Sequence, residues 1–132
     1  MDQTPKIKPE ITFIAEDEDI YELLYNRVMK IPIDSTVLEK DAKKKFLNVT
    51  IEYREYVEHW YVEEVLQDFM SRLPFWNDDD FIQFVLQNKI KVRLCIVIYQ
   101  YGTYPGMSID GKELGLLNKF NGALDFDIYD LA

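Results

Sequence analysis

The segment from Met107 to Asp130 constrains the fold most, because it reads as a complete helix followed by a strand. Asp110 is placed to cap the helix, and Glu113 occupies the capping-box position three residues later. Asn121-Gly122 is a typical left-handed helix stop. Apolar and polar residues then alternate: Leu124, Phe126 and Ile128 against Asp125, Asp127 and Tyr129. This period of two predicts a closing strand with two different faces.

Periodicity also predicts the other elements. We expect strands at residues 9–15, 46–54 and 91–101, and a short strand at 107–109. Helices are predicted from about residue 19 to 30, from 56 to 73 and from 79 to 88, and residues 31–45 are predicted to form a connecting loop. The pattern predicts a single α+β domain over residues 1–132, with a mostly antiparallel sheet of four to five strands and about four helices packed against it.

The chain is strongly acidic, with 15 basic residues, 24 acidic residues and a net charge of −9. This balance disfavours binding to nucleic acid or anionic lipid, because phosphate contacts require clustered lysines and arginines. Residues 55–80 carry eight acids and a single base, Arg72. That segment is either a solvated helix face that aids solubility or a docking surface for a basic protein partner.

The sequence favours a cytoplasmic location. No apolar run is long enough to cross a bilayer, and the first residues lack the apolar stretch of a signal peptide. Cys95 is the single cysteine, which fits a reducing compartment, and its apolar neighbours predict a buried, unreactive thiol. We expect a monomer or homodimer that needs no cofactor.

Candidate partner-binding residues lie in the acidic segment and in the glycine-bearing turn after residue 100. Tyrosines in such a loop give a large contact area at low entropic cost, and aromatic residues among acids anchor contacts with basic proteins. The alternative is that these rings complete the core. The candidates are Glu58, Trp60, Glu63, Glu64, Asp68, Tyr101 and Tyr104.

Asp125 and Asp127 form the best carboxylate pair, because both project from one face of the last strand about 7 Å apart. They are weak candidates for a divalent cation site or for acid–base chemistry. The strand pattern favours the alternative, which is the charged face of an edge strand. His59 is the single histidine; we predict that it pairs with Glu63 one helical turn later, with a general base as the alternative.

The C-terminal half combines an apolar strand at Leu94–Tyr99, a leucine-bearing helix at Ile109–Phe120, the sequence Asn121-Gly122-Ala123 and the strand Leu124–Tyr129. In these residues the chain resembles a bacterial family known only as a domain of unknown function, number 4279. The resemblance implies a single α+β domain of bacterial type and carries over no catalytic residue. Small acidic proteins of this kind also resemble the immunity proteins of bacterial toxin systems.

We therefore predict a non-catalytic protein-binding module, with an immunity-type inhibitor of a basic partner as its specific form. No nucleotide-binding, hydrolase or metal-binding motif occurs in the sequence. One alternative is a small enzyme or a metal- or ligand-binding protein that uses Asp125, Asp127 and His59. A further alternative is a structural subunit whose exposed strand pairs with a second copy.

Overall fold

A computed structural model describes residues 3–31 and 47–132, and the backbone alone of residues 36–41. The strands are β1 (Lys6–Ala15), β2 (Thr36–Asp41), β3 (Leu47–Tyr53), β4 (Val57–Glu58), β5 (Lys91–Gln100) and β6 (Ala123–Asp130). The helices are α1 (Glu18–Met29), α2 (Val62–Ser71), α3 (Asp79–Gln87) and α4 (Gly111–Asn118), with a 3-10 turn at Pro74–Asn77.

The strands form one mixed sheet in the order β2-β3-β1-β5-β6, and β4 pairs with β1 beyond the end of β3. The central strand β1 is antiparallel to both of its neighbours, β3 and β5. β5 and β6 are parallel, because α4 carries the chain back between them. The predicted α+β domain is confirmed, and its sheet is antiparallel except for this last pair.

The core lies between the helical segments and one face of the sheet. Alternate residues of the central strand β1 are buried, and Phe13 is one of them. Its ring makes edge-to-face contacts with Phe75, Phe81 and Phe120 at centroid distances of 5.7, 5.7 and 6.2 Å. Each such pair contributes about 0.5–1.5 kcal/mol beyond its burial. These rings fasten the 3-10 turn, α3 and the end of α4 to the sheet.

The opposite face of the sheet carries polar and partly exposed side chains, as the period of two requires. The hydroxyls of Thr12 and Thr50 lie 3.0 Å apart across β1 and β3. The Nζ atom of Lys8 lies 3.9 Å from the carboxylate of Glu52. We call this the open face of the sheet; it also carries Cys95, Asp125 and Asp127, which the register places side by side.

The predicted helix at residues 56–73 is wrong at its start. Val57 and Glu58 form β4, which pairs with Ile7 and Lys6 of β1, and α2 begins at Val62. Aromatic and β-branched residues such as Tyr56 and Val57 suit a sheet surface better than a helix. The ring of Tyr56 packs edge-on against Tyr99 of β5, at a centroid distance of 5.1 Å.

Two other predictions differ from the structure. Residues 36–41 of the predicted loop form β2, which pairs with β3, while residues 32–35 and 42–46 lie outside the described residues. The predicted strand at 107–109 is wrong, because this region contributes only an isolated bridge between Tyr61 and Gly106. None of the helices described is long and apolar enough to cross a bilayer.

Candidate functional site

The start of α2 is held against the turn that follows β5. The Gly106 N–H donates to the Trp60 carbonyl at 2.7 Å, and the Val62 N–H donates to the Gly106 carbonyl at 2.8 Å. The ring of Tyr61 lies so close that a Cβ atom at position 106 would meet its Cδ1 atom at 2.9 Å. Glycine permits this approach, and two distant segments thereby form one surface.

We call this region the acidic–tyrosine surface; it consists of Glu58, Tyr61, Glu63, Glu64, Tyr104 and Asp110. Tyr61 is 59% exposed and Tyr104 is 67% exposed, so neither ring completes the core. The sequence contains no lysine or arginine from residue 55 to 71. The surface therefore presents two large amphipathic rings among carboxylates, without nearby bases along α2.

Three carboxyl groups from α2 and α4 meet at the edge of this surface. A hydrogen bond with Asp110 raises the pKa of Glu63, and burial and the charges of Asp110, Glu113 and Glu64 add to the rise. The side chain of Asp110 makes no capping bond, so the predicted capping box is wrong although α4 does begin directly after Asp110.

Glu113 is the buried member of this group. It is 5% exposed, and its Oε2 atom has no hydrogen-bond partner among the described residues. Sequence reasoning assigned Glu113 only to the capping box and did not include Tyr61 or Asp110 in a site. A signal for Glu113 was available, because it lies on the same helical stripe as the buried Leu117 and Phe120.

The predicted pairing of His59 with Glu63 is wrong, because His59 lies in the link between β4 and α2. Its Nε2 atom lies 2.9 Å from the Glu64 carboxylate, and its Nδ1 atom accepts the Tyr61 N–H at 3.0 Å. These partners place the ring hydrogen on Nε2. His59 therefore orients two members of the acidic–tyrosine surface.

The remaining candidates are Asp68, Trp60 and Tyr101, which are not part of the acidic–tyrosine surface. Asp68 accepts hydrogen bonds from the Tyr53 hydroxyl at 2.5 Å and from Arg72 Nε at 3.1 Å. Burial and this bond raise the pKa of Tyr53, and a groove of about 740 Å³ lies beside the pair. Trp60 and Tyr101 are partly buried, and the Trp60 carbonyl accepts the Gly106 N–H that joins the two segments.

Asp125 and Asp127 lie on the open face of β6, at the edge of the sheet. Asp125 is 2.9 Å from Arg93 Nε, and Asp127 accepts the Tyr129 hydroxyl at 2.9 Å. β1 and β5 separate β6 from the β4 end that holds His59, so the three residues of the enzymatic alternative do not meet. Across the described residues, no group of three or more His, Cys, Asp or Glu side chains could hold a metal ion.

Cys95 stands on the open face beside Asp125 and is partly exposed, where the sequence predicted a buried thiol. Burial raises the pKa of this thiol to about 11, and the carboxylates of Glu10, Asp127 and Asp125 contribute to the rise. A cysteine nucleophile requires the opposite shift, toward the thiolate. The raised pKa disfavours the thiolate, and partial burial is its largest cause; the lack of reactivity stays a prediction.

No family model, curated protein or solved structure matches the chain. The resemblance of its C-terminal half to family 4279 stays a prediction.

Proposed function

We propose that the protein is a non-catalytic binding module for a basic protein partner, and that it binds through the acidic–tyrosine surface. One observation carries this proposal. Tyr61 and Tyr104 expose their rings on two segments that the Gly106 hydrogen bonds hold together. Glu58, Glu63 and Glu64 lie within three residues of Tyr61, in a stretch of chain without a lysine or arginine.

The two residue types have separate tasks in such an interface. Carboxylates attract a basic partner over about 10 Å at 0.1 M salt, because screening sets in at the Debye length, and this attraction mainly raises the association rate. Tyrosine rings supply contact area that resists dissociation, since each loses few rotamers on binding. The His59–Glu64 contact orients the carboxylate before the partner arrives, which lowers the entropic cost of binding.

The specific form that we propose is an immunity-type inhibitor that acts in the cytoplasm on a basic protein. The support is the net charge of −9 and the clustering of carboxylates at one junction. A strongly acidic inhibitor finds a basic target quickly and rejects acidic proteins by like-charge repulsion.

Charge reversal on α2 tests the proposal against a matched control on α3. The test variant is Glu63→Lys/Glu64→Lys, and the control is Asp79→Lys/Asp80→Lys. Both pairs lie in the first turn of a helix, so both variants change the charge and the helix-dipole interaction alike. Tagged proteins would capture partners from the cell that expresses the chain, at about 50 and 500 mM salt, followed by mass spectrometry.

We expect the wild type and the α3 control to retain a basic partner at low salt, and the α2 variant to lose it. Tyr61→Ala and Tyr104→Ala should each weaken binding by about 2 kcal/mol if the rings are central contacts. A partner captured equally by the α2 variant and the control, or one insensitive to salt, would contradict the proposal.

A further inference from the structure

A groove lies between α2, α4 and the 3-10 turn. It holds about 610 Å³, a size found among ligand pockets of roughly 300–1,000 Å³. Met70, Trp76 and Leu116 form its apolar walls, Gln67 lies on its rim, and Glu113 contributes a carboxylate. Gln67 also donates to the Glu63 carboxylate at 3.3 Å, so the groove lies next to this carboxyl group of α2.

Glu113 is the unusual member of this lining. A carboxylate is almost never fully buried without a partner, yet its Oε2 atom has none among the described residues. Lys112 also lines the groove, but none of the ion pairs within the described part of the chain joins it to Glu113. The groove is therefore lined by a buried carboxyl group, one oxygen of which has no hydrogen-bond partner among the described residues.

We infer that this groove receives an arginine side chain of the basic partner, with its guanidinium on Glu113. The apolar walls would cover the aliphatic stem, as they do for other long charged side chains. A planar guanidinium donates two parallel hydrogen bonds to one carboxylate and is weakly hydrated, which suits a desolvated site better than an ammonium group. This inference rests on the proposed function and names the group that the partner inserts.

A bound metal ion fits the same groove poorly. No set of three or more suitable side chains in the described part of the chain could coordinate one, and the lining holds a single carboxyl group beside Lys112 and neutral side chains. Glu113 contributes the one acceptor of the lining, Oε2, that is buried without a hydrogen-bond partner among the described residues. A single carboxyl group beside the apolar side chains of Met70, Trp76 and Leu116 favours an organic cation.

The test uses the isolated protein and a defined probe. Arginine amide would be titrated into ¹⁵N-labelled protein and followed by amide and indole chemical shifts, with citrulline amide as the neutral isostere. We expect arginine amide to shift signals of the groove, including the Trp76 indole, and citrulline amide to leave them unchanged. Lysine amide should bind more weakly than arginine amide by at least threefold.

Glu113→Gln should weaken arginine amide at least tenfold while keeping the side-chain shape. The matched control is Glu64→Gln, which removes the same charge from the exposed neighbour that contacts His59. Gln67→Trp provides an independent variant, because it fills the groove and leaves every carboxylate in place; it should also abolish binding. Equal binding to wild type and Glu113→Gln, or equal loss in both glutamine variants, would overturn the inference.

A failure of the groove inference can be distinguished from a failure of the proposed function, because the arginine amide titration needs no partner. If arginine amide does not bind but the α2 charge reversal still abolishes partner capture, the inference falls and the proposed function stands. If arginine amide binds through Glu113 but the charge reversal on α2 does not change partner capture, the groove is a cation site and the proposed surface is wrong.

Discussion

Phe13 and Phe126 are the same residue type on the same face of one sheet, yet their surroundings differ sharply. Phe13 lies on the central strand β1, is fully buried and contacts three other aromatic rings. Phe126 lies on the edge strand β6, opposite the buried Ile96, and is 39% exposed. Alternation in a sequence thus identifies residues that share a face, whereas strand order decides whether helices cover them.

The largest expected effect comes from truncating Phe13, and Phe126→Ala provides the comparison on the edge strand. Phe13→Ala should lower the free energy of unfolding by about 3–5 kcal/mol, because it opens a cavity within a packed aromatic cluster. Phe126→Ala should cost about 1 kcal/mol, since its ring gains less from partial burial and leaves no closed cavity. Urea denaturation measures both values. Equal losses of unfolding free energy would show that β6 is covered in solution and would contradict the difference between the two strands.

A smaller effect is expected at the glycine that joins α4 to β6. A Cβ atom on Gly122 would lie 2.3 Å from Leu117 Cδ1 and 3.2 Å from the Leu117 carbonyl. Gly122→Ala should therefore cost about 1–3 kcal/mol through overpacking.

Gly115 provides the matched control for this substitution, because a Cβ atom there meets no described atom within 4 Å. Gly115→Ala lies inside α4 and should stabilise the protein by about 0.5–1 kcal/mol, since alanine restricts the unfolded chain. Thermal unfolding of both variants checks the prediction. A neutral Gly122→Ala would mean that the junction between α4 and the edge strand repacks freely.

The smallest effect at neutral pH concerns Cys95, which lies between the central strand and the edge strand. Its thiol pKa is raised from 9.0 to about 11, so the folded protein holds the proton more tightly than the unfolded chain. This stabilisation is fully present below pH 9 and is lost as the pH rises toward 11. Cys95→Ser should flatten that part of the stability profile without a change near pH 7.

Alkylation by iodoacetamide follows the same thiol directly, with an expected midpoint near pH 11 in the wild type. Asp125→Asn/Asp127→Asn should move the midpoint downward, because both carboxylates of β6 raise the pKa. A wild-type midpoint close to 9 would show that the edge strand leaves the thiol unaffected.

The parts of the fold that were predictable are those specified locally. The strand at β3, the C-terminal helix and β6 follow from period, caps and glycine stops. The start of α2 did not follow, because Val57 and Glu58 become a strand only by pairing with Ile7 and Lys6. The helical period that predicted this segment was overruled by pairing with a strand about 50 residues away.

The candidate site was predictable in the same uneven way. Glu63, Glu64 and Tyr104 were identified by composition and loop type. Their assembly depends on two backbone hydrogen bonds at Gly106, and the periodicity of the sequence does not predict these bonds. Tyr61 was missed because the predicted helix included it, and the approach of Asp110 to Glu63 arises from packing of α4 against α2.

The central position of β1 has a consequence for synthesis of the chain. Phe13 pairs with Val49 of β3 on one side and with Val92 of β5 on the other, and Val92 leaves the ribosome about 80 residues after Phe13. Strand pairs separated by such a stretch form slowly, since loop closure precedes any gain from contact. The edge of β1 that pairs with β5 must therefore remain unpaired until β5 emerges. During this interval the nascent chain is most exposed to aggregation.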